Sequence, residues 1–225
     1  MINQTRIRYR FYREHKYLSF MLSEFERLVA KTDFKDQSQV DTLLNKLDGI
    51  EDLMKGHAEW EESAVHELLK KKNLTIHLDI ESDHKDHNIK FEKMREILNL
   101  VVTSSCEQEK LELGYKFYLL YRKFVGDNLV HLHHEETIIM PELQKLYSDE
   151  ELRAVESATY HEMMTEDMIG MMETLFPHMN TNDREFFLNE IKSAEPEKFL
   201  DAWSSVSHQI ESDERELLAE KLSIG

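Results

Sequence analysis

The sequence places a histidine four residues before a glutamate at His57–Glu61 and, in a similar segment, at His131–Glu135. On a helix this spacing puts both side chains on one face, one turn apart. Neutral imidazoles and carboxylates are ligands for first-row transition metals, and a carboxylate can bridge two metal ions. The two motifs therefore predict a metal centre built on helices.

The two motifs also belong to an internal repeat. The segment HAEWEESAVHELL, from residue 57, aligns with HLHHEETIIMPEL, from residue 131, at an offset of 74 residues. Histidine, two glutamates, a small hydroxyl residue and an aliphatic residue coincide in this alignment. The same offset carries His87 onto His161. This register indicates an internal duplication, with ligands arranged around a two-fold centre.

Apolar residues at helical spacing run through four long segments, at about residues 7–29, 43–68, 80–101 and 117–143. Their steps of three and four residues predict one apolar face on each of four helices. An isolated carboxylate on such a buried face is very costly, and a metal centre would offset that cost. Six polar residues occupy these faces: His15, His57, Glu61, His87, His131 and Glu135.

Glycine and proline are scarce, at 6 and 3 of 225 residues, whereas together they make up about 12% of an average protein. Sheets need many turns, and turns are built with these residues. The composition therefore predicts an all-α protein. We expect an antiparallel four-helix bundle over residues 1–147 and a C-terminal helical extension, 148–225, packed on the bundle.

Helix signals continue through the extension. Ser148 and Glu151 form a capping-box pattern that predicts a fifth helix, with Pro177 marking its end. Asn182, with Glu185 three residues on, predicts a short helix, and Glu195-Pro196 predicts another. The end of the extension, at about residues 178–225, contains no convincing ligand set, which favours packing on the bundle or on a protein partner.

Charge and cysteine content limit the partners and the compartment. The formal net charge of −17 argues against nucleic acid as a partner, because phosphates would be repelled. The single cysteine, Cys106, is typical of a reducing compartment. No apolar run reaches the roughly 18 residues of a membrane span, and the basic N-terminus lacks a signal-peptide core. We expect a cytoplasmic protein with no membrane partner.

The order H…HxxxE…H…HxxxE resembles the hemerythrin-like (HHE cation-binding) family over about residues 5–147, including the Ile-Met-Pro segment at 139–141. The resemblance implies two iron ions joined by an oxo or hydroxo bridge in a four-helix bundle. It implies Glu61 and Glu135 as bridging carboxylates. Manganese or zinc can take the place of iron in such a site. The complete ligand set implied by the resemblance is His15, His57, Glu61, His87, His131 and Glu135.

Two positions depart from the best-known oxygen carriers of that family. The third helix has His84-x-x-His87 in place of HxxxH, and the fourth has HxxxE in place of HxxxxD. These departures favour the sensing, redox and iron-handling members over a dedicated oxygen store. His87 follows the repeat, and His84 is an extra ligand or an outer hydrogen-bond donor. His161 is a fifth imidazole, a neighbour at the pocket mouth, or a relic of duplication.

Three classes of function follow. The first is binding or sensing of O2, peroxide, NO or iron, with the C-terminal helices contacting a protein partner or forming a homodimer. The second is a di-iron oxidoreductase of the catalase or peroxidase kind, an NO-reducing enzyme, or an iron donor in iron–sulfur centre repair. The third is a metal-free bundle that binds partners. The matched HxxxE motifs favour the first two classes over the third. The first and second classes need the same ligands, so the sequence does not separate them.

Overall fold

A computed structural model describes residues 8–224, and within this range the chain forms helices, turns and loops without a β-strand. The predicted all-α class is therefore confirmed. Ile7, the predicted start of the first apolar stripe, lies outside the described residues. None of the helices in the described range has the length and the apolar character needed to cross a bilayer.

The chain folds into two compact units. One unit is Leu18–Leu143, and the other combines the residues up to Tyr17 with those from Gln144 onward. The division into residues 1–147 and 148–225 made from the sequence stays a prediction.

Four long helices dominate residues 18–143. Helix α1 is His15–Lys31, α2 is Gln37–Trp60, α4 is His77–Thr103 and α5 is Glu107–His134. Helix α2 continues through a π-helical turn, Glu61–Val65, into α3, which is His66–Lys70. Helix α5 continues in the same way through a second π turn, Glu135–Ile139, into α6, which is Met140–Leu146.

Local signals explain where these helices start and which faces they bury. The Asp36 side chain accepts hydrogen bonds from the backbone amides of Ser38 and Gln39, which caps α2. The apolar stripes predicted from the sequence supply the core of the unit. Its fully buried members include Leu18, Leu22, Leu43, Leu47, Phe91, Met94, Leu98, Phe117, Tyr121 and Phe124.

Side-chain contacts join the helices of this unit. The Tyr121 hydroxyl of α5 donates to the Leu22 carbonyl of α1 at 2.9 Å. The Phe91 and Phe124 rings, from α4 and α5, lie 4.8 Å apart between centroids. Arg95 of α4 binds Glu51 of α2 at 2.5 Å. These contacts hold α2, α4 and α5 side by side, so that polar residues near Glu61 and Glu135 can meet in one core.

The other unit holds α7 (Asp149–Glu162), α8 (Thr165–Leu175), α9 (Thr181–Ala194), α10 (Pro196–Val206) and α11 (Ser212–Lys221), with short 3₁₀ turns at Phe176–His178 and Ser207–Gln209. The predicted capping box of Ser148 and Glu151 is confirmed, and α10 begins at Pro196 as predicted. The cap of α9 is Asn180, not Asn182, because the Asn180 side chain accepts from the amides of Asn182 and Asp183.

The fifth helix predicted from Ser148 to Pro177 is two helices, with a break at Met163 and Met164. Lys198 of α10 explains the break. Its ammonium donates to the carbonyls of Tyr160, at 3.2 Å, and Met163, at 2.9 Å, as well as to that of His161. These contacts satisfy the carbonyl groups that a helix end leaves unpaired, so α7 can stop without a glycine.

Candidate metal centre

The two HxxxE motifs take the same conformation in Leu18–Leu143. His57 Nε2 lies 3.3 Å from Glu61 Oε1, and His131 Nε2 lies 3.3 Å from Glu135 Oε1. Glu61 and Glu135 are fully buried, and each is the first residue of a π turn. Such turns are rare and occur often at functional sites. The two HxxxE motifs of the 74-residue repeat thus agree in backbone as well as in side-chain geometry.

Four buried side chains bring ligand atoms together at one point. Glu61, His84, His131 and Glu135 each offer one nitrogen or oxygen, and all four atoms lie within 4.8 Å of one another. The Nε2 atoms of His84 and His131 are 3.1 Å apart, and His84 Nε2 is 3.3 Å from Glu61 Oε2. Metal–ligand bonds of about 2.0–2.2 Å are compatible with donor atoms at such separations.

Carboxylates outside the cluster orient both imidazoles. His84 Nδ1 lies 2.9 Å from Glu62 Oε1, and His131 Nδ1 lies 3.3 Å from Asp83 Oδ2. A carboxylate only accepts hydrogen bonds, so each Nδ1 carries the proton and each Nε2 presents a lone pair to the cluster. Histidines that bind metals are usually held in this way.

The electrostatics of the cluster favour added positive charge. Burial opposes protonation of His84, but its contacts with Glu61 and Glu62 outweigh burial and raise its pKa. Burial, together with the charge on His84, lowers the pKa of His131 to about 2. Two fully buried carboxylates therefore face one imidazole whose pKa is raised and one whose pKa is strongly lowered. A metal ion would supply the compensating charge more completely than one imidazolium.

His87 lies beside this cluster. Its ring centroid is 5.1 Å from that of His131 and 5.3 Å from that of Phe124, and its Nδ1 is 3.4 Å from Asn128 Nδ2. Burial lowers the pKa of His87 to about 4, so it stays neutral. The structure groups His84, not His87, with the other ligand atoms, and the choice of His87 as the ligand stays a prediction.

The remaining predicted residues are distributed over both units. The His57 side chain is 8% exposed and contacts Glu61, as its spacing predicts. His15 belongs to the other unit, where it is buried with its ring stacked on Tyr12 at 4.5 Å. His161 also belongs to that unit, and its ring is 78% exposed beside Glu195. Ligand roles for His15 and His161 stay predictions.

Sequence reasoning misses three features near the cluster. Glu62 directly follows the proposed ligand Glu61, and its carboxylate contacts His84 from outside the cluster. Asp83 has no predicted role, although its position directly before His84 is visible in the sequence. The third feature is the pair His66 and His77. A lone helical histidine is usually structural or solvated, so the sequence gives neither residue a role near a site, yet both are buried, at 0% and 4% exposure. His77, four residues before Glu81, repeats the helical spacing of the two predicted motifs.

Two imidazoles and two carboxylates form a donor set that suits divalent first-row transition metals better than calcium or magnesium, which prefer oxygen ligands alone. The donor atoms, their burial and their outer hydrogen-bond partners all agree with such an ion. No protein-family model matches this chain, and no curated protein and no solved structure matches it either.

Proposed function

We propose that residues 18–143 form a hemerythrin-like four-helix bundle, and that its core holds a pair of iron ions used to bind or sense a small ligand such as O2, peroxide or NO. The observation that carries the proposal is the inward convergence of His84 Nε2 and His131 Nε2 on Glu61 and Glu135. A core selected only for stability would place apolar side chains at these positions.

The chain's own residues have distinct roles in this proposal. Glu61 and Glu135 supply negative charge, and their symmetric positions suit carboxylates shared between two ions. His84 and His131 would supply nitrogen donors through their Nε2 atoms, while Glu62 and Asp83 hold their rings in place. His57 extends the donor set on the Glu61 side. The iron pair, when bound, supplies redox activity and an open coordination position.

Apolar side chains around the cluster would limit the entry of water. Phe124 packs against His87 at 5.3 Å, and Met54 and Phe91 are buried in the adjoining core. A dry site strengthens the electrostatic interactions within it and protects a redox-active metal from unwanted reactions. These features favour controlled binding of a small ligand over free access of water to the cluster.

The test is the metal content and visible absorption of the full chain purified from iron-supplied cells. Samples are compared after reduction, after exposure to air and after addition of peroxide. We expect about two irons per chain, as in a two-metal site, and absorption bands that bleach on reduction. Reversible return of the bands with O2 or NO indicates binding, whereas steady consumption of peroxide or NO indicates an enzyme.

Matched variants separate the cluster from other histidines and carboxylates. Glu61→Ala and Glu135→Ala are expected to lose most of the metal. His133→Gln changes an exposed histidine on the same helix as His131, and this variant is expected to keep its metal. A folded wild-type chain that binds no stoichiometric metal would contradict the proposal.

A further inference from the structure

A second group of metal-binding residue types lies at α3 and the start of α4, within the same unit. Four side chains, here called the His66–Glu81 cluster, compose it: His66, Lys70, His77 and Glu81. Glu81 Oε1 is the centre of the cluster, at 3.5 Å from His66 Nδ1, 3.9 Å from His77 Nε2 and 3.2 Å from Lys70 Nζ.

His66 is the unusual member of the cluster. His66 is 0% exposed, and neither of its ring nitrogens makes a hydrogen bond within the described part of the chain. A buried polar group left without a hydrogen bond destabilises the fold unless a partner satisfies it. Burial also lowers the pKa of His66, so its ring is neutral and can offer a nitrogen lone pair to a partner.

The cluster lies between the protein surface and the candidate metal centre. The Lys70 side chain is 39% exposed and that of Glu81 is 19% exposed, whereas His66 and Glu61 are fully buried. The His66 and His84 rings are nearly parallel, with centroids 6.1 Å apart. His84 Nε2 then lies 3.3 Å from Glu61 Oε2. Imidazole and carboxylate groups thus follow one another from the surface inward.

From this arrangement we propose that the His66–Glu81 cluster is a transit site through which a divalent transition-metal ion reaches the Glu61–His84 centre. This inference rests on the proposed function, because it assumes that a metal ion is bound there. Glu81 and His77 take up the ion at the partly exposed end, and His66 passes it inward to Glu61 and His84. Each step exchanges one ligand for another and needs no oxidant or reductant.

Lys70 is suited to regulate the outer end of this route. Its ammonium contacts Glu81 at 3.2 Å and Glu67 at 3.1 Å, so it can leave Glu81 and keep a carboxylate partner. An arriving cation would take the place of the ammonium beside Glu81. The imidazoles favour transition-metal ions over the harder calcium and magnesium ions at the same position.

The rate of metal uptake tests this proposal. Metal-free full-length protein is mixed with Co²⁺, and its visible absorption is followed to completion in the wild type and in the variants His66→Gln and Glu81→Gln. We expect the initial rate to fall about tenfold or more in both variants, because the ion would then reach the centre without one of the ligands that take it up or pass it inward. The final amount of bound cobalt is expected to stay unchanged.

The control is Glu67→Gln, which alters a partly exposed carboxylate that contacts the same Lys70, and its uptake rate is expected to equal that of the wild type. If His66→Gln does not fold, Glu81→Gln at the partly exposed end remains as the test. Unchanged rates in the variants would overturn the transit site while leaving the proposed function intact. A lower final stoichiometry at an unchanged rate would also overturn it, by making these residues permanent ligands. If the wild type binds no cobalt, the proposed function fails as well.

Discussion

The Nε2 atoms of His84 and His131 lie 3.1 Å apart in a buried core, while the Nδ1 atom of each ring faces a carboxylate. With both Nδ1 atoms protonated, two lone pairs point at one another unless one imidazole gains a second proton. The raised pKa of His84, caused by Glu61 and Glu62 against the effect of burial, agrees with such a proton. A metal ion would satisfy both nitrogens together.

Removing the outer carboxylates should weaken metal binding without removing a ligand. Glu62→Gln and Asp83→Asn each replace a hydrogen-bond acceptor on Nδ1 by a neutral amide, which holds the ring less firmly. We expect metal affinity to fall by about 10- to 100-fold, measured by competition with a chelator. Asp86→Asn changes an exposed carboxylate on the same helix and should leave the affinity unaltered. Wild-type affinity in all three variants would show that these contacts do not orient the ligands.

Metal removal should lower the stability of the chain by an amount that depends on Glu135. A ligand present at about 1,000 times its dissociation constant stabilises the folded state by about 4 kcal/mol. We expect a loss of that order on chelation of the wild type, seen as a lower melting temperature. In Glu135→Gln the melting temperatures with and without metal should converge. A chelation effect that stays as large in this variant would exclude Glu135 from the site.

Much of this site follows from sequence periodicity. Because the helical period is regular, the four-residue spacing of His57 with Glu61 and of His131 with Glu135 is sufficient to place each pair on one buried face. The choice between His84 and His87 depends on small rotations of α4 about its axis. Spacing alone cannot resolve such rotations, since residues three apart share a face.

Other features depend on contacts that no local pattern encodes. The π turns at Glu61 and Glu135 insert an extra residue into the helical repeat, and nothing in the apolar stripe marks them. The break after Glu162 depends on Lys198, which lies far along the chain. The all-α class, in contrast, follows from composition and from long apolar stripes, which are the most reliable signals in a sequence.

Two glycines of α5 should respond oppositely to replacement by alanine. A Cβ atom at Gly114 would overlap the Phe34 ring, whereas a Cβ atom at Gly126 has no neighbour within 4 Å. We expect Gly114→Ala to reduce the free energy of unfolding by about 1–3 kcal/mol. Gly126→Ala should increase it by about 0.5–1 kcal/mol, because alanine favours the helix. Denaturant unfolding of the two variants measures both changes, and a stabilising Gly114→Ala would contradict the close packing at Phe34.

A buried carboxyl in the other unit should make stability depend on pH. Burial, and the nearby charges of Glu14 and Glu190, raise the pKa of Glu156 from 4.5 to about 8. Its Oε1 accepts a hydrogen bond from the Tyr160 hydroxyl at 3.0 Å, while its Oε2 is buried without a hydrogen bond in the described part of the chain. The folded state therefore favours the protonated form of Glu156.

The sign of the effect follows from proton linkage. A group whose pKa is higher in the folded state stabilises the protein fully below its unfolded pKa and loses that contribution as the pH rises through the folded pKa. The contribution of Glu156 is thus present near pH 4.5 and lost by about pH 8. Glu156→Gln removes this titration, so its free energy of unfolding should fall less between these limits, by roughly 1–3 kcal/mol relative to the wild type. Urea unfolding across the range measures the difference, with the exposed Glu162→Gln on the same helix as the control. Parallel pH profiles for wild type and Glu156→Gln would show that Glu156 ionises normally in the folded protein.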